Sequence, residues 1–208
     1  ALRSFFESCC LIRDEHETES YGFDFERIIP VPETIRIISG EEGKLADRAI
    51  ALYRRDILGE ELAEPEARML GAMSPEELYG RRYRIFLDER KPMLTLLEAG
   101  KLYSENERSY GVRSRYDWNC TNWGTKWNAC EAEVSPEDGF IVFETAWAAP
   151  LPIYRVLAEQ FPDLRIHAEY ADEDIGFNCG RIDISEGRCT VTSLPEGTEA
   201  VELACELW

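Results

Sequence analysis

At 208 residues and 44% hydrophobic content, the chain suits one large domain or one domain with a sizeable insertion, and it has apolar side chains enough for an ordinary core. Its 41 acidic and 23 basic residues leave a formal charge of -18, which argues against direct nucleic-acid binding, because that affinity comes from lysines and arginines that displace counterions. The longest apolar runs, Phe140 to Phe143 and Ala146 to Ile153, fall far short of the roughly 20 residues a membrane span needs, so no membrane association is expected.

Leu2, Phe5, Phe6, Cys9, Cys10 and Ile12 recur mostly at three- and four-residue spacings, which predicts an amphipathic helix from Leu2 to His16. Arg3 and Glu7 interrupt that stretch, and no basic start leads into an unbroken apolar run, so it does not read as a secretory signal. Phe23 to Pro32 contains two prolines and is expected as an extended edge or loop, not a central strand. Residues 1–43 are expected to join the sheet domain.

From Gly43 to Tyr116 the periodicity predicts four or five short helices, a section assigned to residues 44–116. Leu45, Ala49, Leu52 and Tyr53 share one face. Ser74-Pro75-Glu76-Glu77 is a start signal, with a hydroxyl cap, a first-turn proline and acids at the positive end of the dipole. The run Pro92 to Ala99 is expected to stop at Gly100 as a C-terminal cap. Arg54/Arg55 and Arg81/Arg82/Arg84 sit among acids and read as solvated or ion-paired helix faces.

Residues 117–208 change rhythm. Cys130 to Val134 alternates, Ser135 to Gly139 is a turn and Phe140 to Trp147 is a strongly apolar strand, which together predict a hairpin. A helix follows over Leu151 to Phe161, then strands over Leu164 to Tyr170 and Phe177 to Ser185 around an acidic turn, and Ser193 to Leu207 ends in a short helix. Hairpins with a crossing helix indicate an α+β fold: an antiparallel sheet with helices on one face and a mainly helical inserted section.

Tests for chemistry find no catalytic residue. Gly40-Glu41-Glu42-Gly43-Lys44 lacks the spacing and hydroxyl residue of a phosphate loop, and Asp172-Glu173-Asp174-Ile175-Gly176 has its glycine one position early for a calcium loop. The seven cysteines, odd in number and including adjacent Cys9 and Cys10, fit reduced thiols in a cytoplasmic protein. Cys120/Cys130 and Cys179/Cys189 share one separation but lack close metal-ligand spacing, so neither metal nor cofactor is expected. His167 and Cys179 form a conceivable nucleophile pair without an orienting third residue.

The best candidate site is aromatic and polar: Trp118, Asn122, Trp123, Thr125, Lys126, Trp127 and Asn128, with Tyr110, Tyr116 and Trp147 in the same cluster. The competing reading makes its tryptophans a seam between the helical section and the sheet. On that reading Trp123 and Trp127 both point into the core, brought together by the Gly124-Thr125 turn.

The segment Asp117 to Ala129, with its Asn-Trp-Gly-Thr-Lys-Trp core, resembles the signature of the YubB/Api-type family of phage and plasmid proteins. Phe25 to Glu33, Thr145 to Phe161 and Tyr170 to Gly180 support the resemblance, which covers Phe23 to Glu33 and most of Tyr116 to Gly187. It implies a ferredoxin-like C-terminal domain and a mobile-element origin, and it leaves the function open. The family pattern opens with a short strand of Asn-Trp-Cys-Asn type that this sequence does not show before Leu2.

Two functions are compatible with these features. One is a non-enzymatic acidic interaction protein that binds a host or phage protein through a basic surface on the partner. The alternative is a small-molecule or nucleotide-processing enzyme with its pocket at the Trp118 to Trp127 loop.

Overall fold

The computed structural model describes residues 1–13, 19–37 and 42–208. Helix α1 (Leu2–Phe5) runs into a π-type turn, Phe6–Cys10, and then into strand β1 (Leu11–Arg13), antiparallel to β2 (Glu19–Tyr21). The helix expected over Leu2 to His16 therefore ends at Cys10; residues 14–16 lie outside the described residues. Phe5, Phe6, Cys9 and Cys10 are buried as one helical face, whereas Ile12 is exposed, because the chain has already become extended there. Phe23 to Pro32 holds a 3-10 turn, Phe25–Arg27, opened by Asp24 Oδ1 accepting from the Glu26 N–H at 2.9 Å, and a second follows at Glu33–Ile35.

The chain divides into two compact units, one of Ala1–Pro30 with Asn119–Trp208 and the other of Val31–Trp118. The second unit contains α2 (Glu42–Asp56), α3 (Glu64–Gly71), a π-type turn at Glu76–Gly80, the two-residue strands β3 (Arg82–Tyr83) and β4 (Leu94–Thr95), and α4 (Leu96–Tyr110). Ala49, Leu52, Leu70, Ile85, Leu96 and Tyr103 are at the heart of its core. Ser74 caps as expected: its N–H and Oγ both donate to Glu77 Oε2 at 2.8 Å, and its Oγ accepts from the Glu77 N–H. Arg54 pairs with Glu60 and Glu66, and Arg55 with Asp56, in keeping with an ion-paired face.

Gly100 is not a cap. Helix α4 runs through it, starts instead from a reciprocal Thr95–Glu98 box and ends at Gly111, whose φ of 72° is the left-handed conformation that a glycine adopts without strain. Gly100 is needed for close approach: a Cβ there would collide with the Ala49 carbonyl of α2 and come within 2.8 Å of Tyr53 Cβ.

Helix α5 (Arg115–Asn122) carries the chain back into the first unit. There β5 (Cys130–Ser135) and β6 (Phe140–Glu144) form the expected hairpin, followed by α6 (Leu151–Gln160) and the strands β7 (Ile166–Tyr170), β8 (Gly180–Ser185) and β9 (Arg188–Ser193), before α7 (Thr198–Leu207). Strands β7, β8 and β9 form an antiparallel sheet in that order, with Ile166 opposite Ile184, Ala168 opposite Ile182, and Val191 opposite Ile182 on the other side. These apolar residues share one face of the pleat and α6 packs against it, while His167, Glu169, Arg181 and Asp183 share the other. Strand β9 has no counterpart in the sequence reading, since its Cys189 and Val191 alternate with threonines too weakly for a hydrophobic pattern to stand out. The fold is α+β with antiparallel sheets.

Around the hairpin the core is aromatic: Phe25 meets Trp123 edge-on at 5.7 Å between centroids and packs with Phe23 and Phe143, and Phe5 meets Phe161. Among the described residues no helix is long and apolar enough to cross a membrane.

Candidate functional site

The loop between α5 and β5 is held by its own side chains. Gly124 takes φ 82°, a left-handed turn that brings the chain against Pro152, where a Cβ would come within 2.7 Å of the proline ring. Trp123 is fully buried and its Nε1–H donates to the Ile29 carbonyl at 2.9 Å. Thr125 Oγ1 donates to the Ala146 carbonyl and accepts from the Ala146 N–H, both at 3.1 Å. Asn128 Oδ1 accepts from the N–H groups of Phe25 and Ala129, and its Nδ2 donates to Asp24 at 2.6 Å. Asn119 Nδ2 donates to the Lys126 carbonyl.

The seven candidate residues thus separate. Trp123, Thr125 and Asn128 fasten the loop to segments 24–29 and 145–148; Trp118 is buried and belongs to the unit Val31–Trp118; Asn122 is half-buried at the end of α5. Of the seven only Trp127 is exposed, and Lys126 is half-buried like Asn122. Trp127, expected in the core beside Trp123, is 53% exposed, because the turn at Gly124 sends the two indoles in different directions. Lys126 places its ammonium over the ring of Trp147. Trp147 itself holds φ 64°, a conformation bulky residues avoid, in a turn closed by Thr145 Oγ1 donating to the Ala148 carbonyl; its indole is 71% exposed.

These exposed aromatics border a feature that sequence reasoning missed. Every residue of β6 and every residue of β7 lines one groove of about 800 Å³. Strand β6 is paired with β5 and strand β7 with β8, and among the described residues neither makes backbone hydrogen bonds along its other edge. Residues of both pleat faces line the groove, so it follows the two free edges. Phe5, Tyr154, Leu157 and Leu164 lie beneath it, and Trp127, Trp147, Leu207 and Trp208 border it. The signal for it was present in Phe140 to Phe143: an edge strand with one wet face alternates, whereas this one is apolar on both.

Elsewhere the candidate chemistry disperses. His167 is exposed with Nδ1 2.8 Å from Asp183 Oδ1, while Cys179 is buried under α7 with its thiol directed at the carbonyls of Phe177 and Ala200, so the two do not meet. All seven cysteines are free thiols. Burial pushes Cys9 up to about 11 and Cys10 up to about 12, the latter also through its neighbour, so both are inert at neutral pH. No group of three or more His, Cys, Asp or Glu able to hold a metal occurs among the described residues. Asp172 to Gly176 forms a turn in which Asp172 Oδ1 accepts from the Asp174 N–H; the glycine and lysine segment starting at Gly40 lies partly outside the described residues.

Residues 122–207 match a family model described as the ferredoxin-like domain in Api92-like protein. The match supports the Api-type resemblance read from the Asn-Trp-Gly-Thr-Lys-Trp segment and takes in both edges of the groove. No curated protein and no solved structure matches the chain.

Proposed function

We propose that the protein is a non-enzymatic interaction module, that its binding surface is the groove between β6 and β7 with the bordering aromatic residues, and that its partner is a host or phage protein with a basic surface. The observation that carries this reading is the exposure of large apolar side chains around one groove: Val142 is 59% exposed, and Phe140, Trp127, Trp147 and Trp208 stand beside it. Such a concentration of apolar surface marks an interaction site on a folded protein. What weighs against a reaction centre in the Trp118 to Trp127 loop is that Thr125, Asn128 and Trp123 direct their polar groups at the chain itself. The charge of -18 favours a basic partner and fast encounter, and the resemblance to phage and plasmid proteins supports a host or phage origin for it.

The test is capture of partners from host cytoplasm by the natural chain, by Val142→Glu and Trp147→Asp, and by Ile57→Glu as a control at an exposed position of the unit Val31–Trp118. A partner retained by the natural chain and by Ile57→Glu, lost with Val142→Glu and Trp147→Asp, and eluted as salt rises is the expected result. Equal retention by all four proteins would overturn the reading.

A further inference from the structure

We infer that the protein carries a second docking site, independent of the groove, on the β3–β4 hairpin of the unit Val31–Trp118, where Arg82 and Arg84 receive two carboxylates from an acidic segment of a partner protein. The starting point is charge. Residues 81–91 hold the basic side chains Arg81, Arg82, Arg84, Arg90 and Lys91 against Asp88 and Glu89, five against two, a net of +3 in a chain of -18.

Several of those cations are engaged within the fold. Arg90 grips both oxygens of Asp88, Lys91 pairs with Glu33 at 2.8 Å, and Arg81 lies over the Tyr83 ring. Arg82 and Arg84 differ. Both are exposed, and among the described residues neither pairs with a carboxylate, although the chain has 41 acids to offer. The ion-paired helix face expected for them is therefore not formed: Arg82 lies in β3, and Glu98 of α4 directs its carboxylate at the N–H and Oγ1 of Thr95.

Each guanidinium is instead fastened to the backbone. Arg82 Nη1 donates to the Met93 carbonyl and Arg84 Nη1 to the Glu89 carbonyl, both at 3.0 Å. A guanidinium has several N–H donors in a fixed plane, so each head is held in place with a fork matched to a carboxylate still open. From Arg82 to Ile85 the side chains are exposed, half-buried, exposed and buried in turn, the alternation of an extended segment. The two arginines therefore project to one side, with Cα atoms about 7 Å apart. Met93, whose carbonyl holds Arg82, is itself exposed, as is Leu87 in the turn, so the hairpin adds apolar surface to the charge.

This arrangement selects the ligand. Residues i and i+2 of an extended segment present two carboxylates at the same spacing of about 7 Å, so the partner carries acid-x-acid with apolar neighbours. Nucleic acid brings one phosphate per nucleotide against a chain of -18, whereas such a segment brings two charges. A second copy brings a further -18.

The probe is a peptide of about seven residues with a neutral fluorophore, two glutamates two positions apart and a leucine on either side, read by fluorescence anisotropy at low salt. The natural chain should bind it saturably. Arg82→Gln and Arg84→Gln should each weaken binding about fivefold, and both together more than about tenfold. Arg90→Gln removes the same charge from a side chain already engaged by Asp88 and should change little. On the natural chain, a peptide with glutamine for both glutamates should bind at least about tenfold more weakly, which keeps the test independent of how the variants fold. Adjacent glutamates, which an extended peptide sends to opposite sides, should also bind less well than the spaced pair.

Absence of saturable binding overturns the inference, as does equal weakening by Arg90→Gln or indifference to the glutamate spacing. Binding of a single-stranded oligonucleotide as tightly as the peptide, lost with Arg82→Gln, would make this a phosphate site. Self-association lost with Arg82→Gln in ultracentrifugation would make the occupant a second copy, and either result overturns the acidic partner. Val142→Glu should bind the probe unchanged, so this site stands or falls separately from the groove.

Discussion

The indole Nε1–H of Trp123 donates to the carbonyl of Ile29 at 2.9 Å, across 94 residues of sequence. That bond, with the Trp123 ring against Phe25, joins the loop before β5 to the segment that follows β2. Replacement of Trp123 by alanine should cost about 3–5 kcal/mol in denaturant unfolding, the range for removing a large core aromatic. Phenylalanine should recover part of that, lacking both the hydrogen bond, about 1 kcal/mol, and the buried volume of the second indole ring. Trp127→Ala, at an exposed position, should change stability by no more than about 0.5 kcal/mol.

Asn128 closes the same region by accepting from two backbone N–H groups and donating to Asp24. Asn128→Ala leaves those N–H groups without their acceptor, and about 1–3 kcal/mol should be lost. Amide exchange should accelerate at Phe25 and Ala129 first. Uniform acceleration across the sheet would show that the side chain has no such local role.

Gly100 and Gly111 lie in one helix and at its end, and they should respond to alanine for different reasons. At Gly100 the added methyl meets the Ala49 carbonyl, so α2 and α4 must separate, costing about 1–3 kcal/mol despite the better helix propensity of alanine. At Gly111 there is open space, and the cost, about 1 kcal/mol, comes from the left-handed backbone alone. Thermal unfolding of the two variants checks the order.

Thiol labelling of the native protein near pH 8 should modify Cys120 and Cys205, which are exposed, and spare Cys9, Cys10 and Cys179 until unfolding. The thiols of Cys9 and Cys10 are raised from 9.0 to about 11 and about 12 in the fold. Their contribution to stability is complete below pH 9 and declines above it, since the unfolded chain ionises them first and the folded chain only at about 11 to 12. A double serine variant should show a shallower decline in denaturation midpoint on the alkaline side.

Gel-shift assays at low ionic strength should detect no binding of duplex DNA, single-stranded DNA or RNA at micromolar protein, because 41 acids face 23 basic residues and Arg54, Arg55 and Arg181 are already engaged by carboxylates. A salt-sensitive shift would contradict this.

Local sequence was sufficient where local physics decides the outcome. The alternation and turn chemistry of Cys130 to Glu144 specified the hairpin, the apolar face between Pro150 and Pro162 specified α6, and Ser74 with Glu77 specified a capped turn, since hydrogen bonds and periodicities only a few residues long settle each. Distant neighbours decided the rest. Whether Trp123 or Trp127 is buried depends on Ile29 and Phe25, whether a glycine serves as a cap or as a contact depends on Ala49 of another helix, and whether Phe140 to Phe143 has one neighbour or two depends on where β7 lies. A groove between two strand edges is a property of their separation in space, and no short-range pattern encodes that distance; the sequence carries only its trace, a strand apolar on both faces.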